Sequence, residues 1–200
     1  MRWHKFISAI LHPVVMPTLG VLLFFIISDT RISRKQQLAL LGMVLISTYI
    51  IPILLLIFLR SIGLIKSYQV KTISERKIPV IFMTALFFFV GKSLMNIPVT
   101  REFSYLFYGT SLSLVLVYII FSFKTKTSLH LLALGSALGY FIRFQQIHNT
   151  SITPVILIII ILSGLLASSR LHLKAHTPKE VYLGFFIGLL SQFLVFCILQ

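Results

Sequence analysis

Ser169-Arg170-Leu171-His172-Leu173-Lys174-Ala175-His176-Thr177-Pro178-Lys179-Glu180 is a polar, basic stretch between two apolar runs, 152–168 and 180–199, each close to the length of a membrane-crossing helix. Hydrophobic residues make up 58% of the 200 residues and charged residues 11%, and the mean hydropathy is +1.00. A water-soluble globule with a polar exterior is thereby excluded. The pattern predicts an all-α fold, a polytopic membrane helix bundle.

A hydrocarbon core takes about 20 apolar residues per helix, and candidate runs lie at 6–28, 38–60, 79–95, 105–123, 128–144, 152–168 and 180–199. Six to seven spans are expected, in a single transmembrane domain over 1–200. The first run is read as a retained span, because it is longer than a signal core and lacks a small-residue cleavage site. Pro13 and Pro17 within it, and Pro52 in the second run, predict kinks or a re-entrant first segment. Gly135 with Gly139, and Gly184 with Gly188, have the spacing that lets membrane helices approach closely. The single cysteine, Cys197, cannot form an internal disulfide.

Spanning by all seven runs places the loops after the second, fourth and sixth on one side with the N-terminus. The first of these carries Lys66, Lys71, Glu75, Arg76 and Lys77, the second Lys124, Lys126, Ser128 and His130, and the third the opening stretch. The opposite loops hold Asp29, Arg31, Arg34, Lys35, Arg101, Glu102 and His148, with no comparable constellation.

Within 169–180, Arg and Ser supply donors for a phosphate, His a nucleophile, and Glu a group that can orient the ring. Thr177-Pro178-Lys179-Glu180 equally reads as a helix start, with Thr177 as N-cap and Glu180 at the third position. Both readings of Glu180 stand at this stage. His172 and His176 are four apart, a metal-ligand spacing on a continuous helix. Pro178 opposes that, since its ring would clash with the carbonyl of Lys174, so no metal site is expected. Thr127-Ser128-Leu129-His130 opens the fifth run, where a cap and free backbone N–H groups favour an anion. Arg76, in Lys71-Thr72-Ile73-Ser74-Glu75-Arg76-Lys77-Ile78-Pro79, can hold a phosphate bidentately, although basic residues before a span also mark orientation.

These residues resemble the type 2 phosphatidic acid phosphatase superfamily, whose members cleave lipid phosphates and diphosphates inside a helical membrane bundle. The third motif of that family, SRxxxxxHxxxD, is similar in spacing to Ser169, Arg170 and His176, with Glu180 in place of Asp. Its second motif, PSGH, resembles Thr127-Ser128-Leu129-His130, and its first, KxxxxxxRP, is echoed by Lys71, Arg76 and Pro79 without the family spacing. The motif region covers 71–184. The resemblance implies a bundle of about six spans and a lipid phosphate substrate, with no cofactor. It casts His176 as the nucleophile forming a phosphohistidine, Glu180 as its orienting acid, and His130 as proton donor to the leaving alkoxide. Arg170, Ser128, Arg76 and Lys71 would hold the phosphoryl oxygens. Leu129 stands where the family has a glycine that approaches the phosphate.

The formal charge of +14 arises from 18 Lys and Arg against 4 Asp and Glu, placed between the apolar runs, where it suits membrane lipid headgroups and phosphate rather than nucleic acid. The side bearing the motifs carries twice as many Lys and Arg as the other, which the positive-inside rule assigns to the cytoplasm. Bacterial members of the resembled family commonly work on the outer face of the inner membrane. The expected location is a bacterial inner membrane, with the side of the site left open. A catalytically inactive member of the same fold, binding headgroups or serving in a membrane-protein complex, is the second expectation. A transporter is the third, because no span centre carries an acidic coupling residue.

Overall fold

The computed structural model describes residues 2–27, 33–68, 70 and 72–199. Their regular structure is helical: α1 (Arg2–Ile10), α2 (Met16–Ile27), α3 (Arg34–Leu45), α4 (Ile51–Ser61), α5 (Ile73–Met95), α6 (Arg101–Ser122), α7 (Leu129–His148), α8 (Thr153–His172) and α9 (Pro178–Leu199). A π turn at Ile46–Ile50 makes α3 and α4 one rod. Pro52 lacks the N–H that residue 48 would receive, and the widened turn just before it accommodates the defect. Five helices are long and apolar enough to cross a membrane, Arg34–Ser61, Ile73–Met95, Arg101–Ser122, Thr153–His172 and Pro178–Leu199. The chain is therefore an all-α integral membrane bundle.

Two of the seven expected runs fall outside those five. The run at 6–28 is not one rod: α1 ends at Ile10, a turn closes from the His12 carbonyl to the Val15 N–H at 2.9 Å, and α2 restarts with Pro17 in its first turn. Neither Pro13 nor Pro17 can donate to a continuing helix, and the chain leaves helical conformation over 11–15. The run at 128–144 forms α7, which continues through Arg143, Gln145, Gln146 and His148. It is the most polar of the long helices and is enclosed by its neighbours, with Leu131, Leu134, Tyr140 and Phe141 buried.

The tightest packing is between α7 and α9. A Cβ added to Gly135 would run into the backbone carbonyl of Phe185, and one added to Gly188 into that of Leu132. Both helix backbones therefore touch, as the paired small-residue spacings predict. One turn after Gly188, Gln192 packs beside Gly139 and reaches on to α6, donating to the Leu106 carbonyl at 3.1 Å. At the end of this seam the Ser128 N–H donates to the Glu180 carbonyl at 3.1 Å, so the beginnings of α7 and α9 are fixed side by side.

Gly135→Val and Gly188→Val should each destabilise the bundle by about 3 kcal/mol or more, since backbone cannot yield as a side chain can. Gly164→Ala, where an added Cβ meets nothing within 4 Å, should stay within about 1 kcal/mol of the parent. Thermal melts in one detergent check both, and equal melting temperatures for the Val variants and the parent would contradict the packing.

Candidate active site

Arg170 and His176 owe their relative position to how α8 stops and α9 starts. The Ala175 N–H returns to the Arg170 carbonyl at 3.1 Å and the Lys174 N–H to the Leu171 carbonyl at 2.9 Å, with Lys174 left-handed at φ 51°. This is a Schellman closure without its usual glycine. The reversed chain then presents His176 before Thr177, whose hydroxyl accepts the Glu180 N–H at 3.4 Å while its carbonyl accepts the Val181 N–H. Thr177 thus caps α9 and Pro178 opens it. The Glu180 carboxylate does not close a reciprocal box; it accepts from His176 Nδ1 at 2.6 Å. A carboxylate can only accept, so Nδ1 bears the proton and the lone pair of the neutral ring lies on Nε2.

His130 comes from the first turn of α7. Its Nε2–H donates to the Ser8 carbonyl at 3.2 Å. Arg170 donates through Nη1 to the Ser8 hydroxyl at 2.7 Å. Arg76, in the first turn of α5, is held by two backbone carbonyls, from Nε to Val70 at 2.8 Å and from Nη1 to Thr127 at 3.3 Å. Val70 supplies its carbonyl from a φ of 46°, an uncommon conformation for a β-branched residue. Four elements therefore aim polar side chains at one point.

That point is a cavity of about 250 Å³, far above the roughly 10–15 Å³ that one water needs. Arg76, His130, Arg170 and His176 line its polar end, together with His12. Its remaining wall is largely apolar and includes Met83, Phe87, Leu106, Phe107, Leu114 and Phe141. Leu129 lines the polar end without filling it. With neutral histidines, two guanidiniums against one carboxylate leave the site a net positive charge, and the two guanidiniums are near enough to repel. An anion would relieve that repulsion. Burial pushes His176 below the usual histidine range, aided by the Arg76 and Arg170 charges and opposed by Glu180. The neutral ring is thereby favoured, with its lone pair on Nε2.

The other expected residues are placed differently. Ser128 is fully buried with its hydroxyl outside the cavity lining, and the Ser169 hydroxyl donates to the Leu165 carbonyl at 2.8 Å and meets His4 Nδ1 at 3.2 Å. Lys71 lies outside the described residues. His172 is exposed and stacks on His4 at 4.1 Å between ring centroids, away from His176. Among the described residues no three His, Cys, Asp or Glu are grouped to hold a metal ion. Glu75 caps α5: its carboxylate accepts from the Thr72 N–H at 3.2 Å and the Lys66 N–H at 2.8 Å. The Thr72-x-x-Glu75 spacing carries that signal. Ser8 and His12 have no sequence signal of their own, because what places them is the chain break at Pro13.

Titrating His176 by NMR should give a midpoint below 6.5, so the bare Nε2 persists into mildly acidic solution and is lost only on further acidification. Glu180 favours the charged ring, so Glu180→Gln should move the midpoint lower still. A rise in that variant would contradict the pairing.

No family model, curated protein or solved structure matches the chain.

Proposed function

We propose that this protein is a membrane-embedded phosphatase, releasing phosphate from a lipid phosphate or diphosphate through a phosphohistidine. The carrying observation is the shared cavity: two guanidiniums and two histidines from separate helices face one space, and one of those histidines is oriented by Glu180. Nε2 of His176 attacks phosphorus as the ester P–O bond breaks. Arg76 and Arg170 take the charge growing on the phosphoryl oxygens. His130 gives the leaving oxygen its proton. A neutral His130 keeps its one proton on Nε2, held by the Ser8 carbonyl, so it takes up a second proton from solvent on Nδ1 as the phosphoryl dianion binds, and that Nδ1 proton goes to the leaving oxygen. Water then attacks the phosphohistidine, frees phosphate and restores the ring. The apolar wall suits the first carbons of a lipid chain.

In this reading α7 is a sixth crossing. Its neighbours shield it from lipid, so it tolerates polar residues that an outer helix could not.

Leu129 on the cavity wall and the Ser128 hydroxyl outside it favour a second reading, a headgroup-binding protein without turnover, acting alone or within a membrane complex. One experiment separates the two. The purified protein should release phosphate from phosphatidate, phosphatidylglycerol phosphate or a polyprenyl diphosphate, and His176→Ala should lower the rate at least about a thousandfold. A rapidly quenched reaction should carry acid-labile phosphate on His176. Headgroup binding with no release from any of the three would support the second reading instead.

A further inference from the structure

We propose that His12 is a further phosphoryl-binding residue of this cavity, carried there by an N-terminal helix that Ser8 fastens to Arg170 and His130. The inference rests on the phosphatase reading and adds to it a segment outside the resembled motifs. Ser8 is buried and accepts from both site residues, through its hydroxyl from Arg170 at 2.7 Å and through its carbonyl from His130 at 3.2 Å. It does not itself line the cavity, whereas both its partners do. Ser8 therefore holds them from behind and leaves their cavity sides open. One helical turn earlier His4 meets Ser169 and stacks on His172, so α1 is attached to α8 at two successive turns.

Two residues past the end of α1 is His12. It lines the cavity and remains exposed, which puts it at the opening. Its ring stands edge-on to His130, with centroids 5.0 Å apart. The Val14 N–H donates to its Nδ1 at 3.4 Å, so a neutral His12 carries its proton on Nε2 and can donate to an anion. Pro13 stiffens the chain directly after it, lowering the entropy of holding the ring there.

Arg76 has two of its N–H groups on backbone carbonyls and Arg170 has one on Ser8, so both guanidiniums are pinned while further N–H groups remain for an anion. With the Ser128 hydroxyl outside the cavity, His12 adds a donor to its lining from a segment that carries neither guanidinium.

The test uses the whole protein in detergent or nanodiscs, with dioctanoyl phosphatidate as substrate and inorganic phosphate and orthovanadate as inhibitors. His12→Ala should raise KM and both inhibition constants about tenfold to a hundredfold, with a smaller change in kcat and an unchanged melting temperature. His12→Gln, which keeps an N–H donor, should recover part of the loss and decides the matter if the Ala variant does not fold. Unchanged KM and inhibition constants in a folded variant would overturn the assignment, as would a lower melting temperature with unchanged anion affinity. A shift in the phosphatidate arm alone would also overturn it, because the contact would then be to the lipid and not to phosphorus. A parent protein that neither hydrolyses phosphatidate nor binds vanadate would remove the phosphatase reading and this inference together. A parent that does both beside an unaffected His12→Ala removes only the inference.

Discussion

The backbone contact between α7 and α9 is the constraint on which the rest of the structure depends. In a membrane, apolar side chains gain little by meeting each other rather than lipid, so helices associate through close packing and polar contacts. Gly135 and Gly188 let two backbones touch, and the touch fixes axial register as well as distance. The bond from the Ser128 N–H to the Glu180 carbonyl exists because of that register. It sets His130, two residues after Ser128, beside the His176–Glu180 pair. A slip of one turn, about 5.4 Å, would separate the two histidines.

The same seam explains how guanidiniums persist at the edge of an apolar bundle. Arg76 and Arg170 are each only partly exposed, and their charge is tolerated because carbonyls and a hydroxyl receive their N–H groups before any ligand arrives. Residual positive charge in a low-dielectric cavity is costly when empty and favourable when an anion enters. Preorganised donors of that kind stabilise developing negative charge without reorganising at the moment of reaction.

Much of this was legible in the sequence, and the failures have physical causes. Helix positions followed from apolar runs, but ends did not: α5 begins at Ile73 and α8 continues to His172 because long basic side chains carry a helix past the edge of its apolar stretch. Loop parity placed Arg76, His130, Arg170 and His176 at one end, and all four line one cavity. Residue type left Glu180 open between a helix start and a ring-orienting acid; its carboxylate goes to His176, while the Thr177 hydroxyl receives the Glu180 N–H. Ser8 and His12 stayed hidden because a run broken by two prolines looks apolar throughout; only the path of the chain after the break shows that α1 turns back onto α8.

Backbone conformation at the two ends of the bundle bears on why the site end is built as it is. Among the described residues, four non-glycines have positive φ: Val70, Lys124, Asn149 and Lys174. Asn149 closes α7 at the far end and belongs to the residue types that adopt this conformation readily. The other three lie one in each of the loops at the cavity end, 62–72, 123–128 and 173–177. A left-handed Val or Lys costs on the order of 1–2 kcal/mol that glycine would avoid. Val70 hands its carbonyl to Arg76, and Lys174 closes the turn that separates Arg170 from His176. Left-handed residues at the cavity end thus set the carbonyl that holds Arg76 and the turn that parts Arg170 from His176, while Asn takes the same conformation at the other end at lower cost.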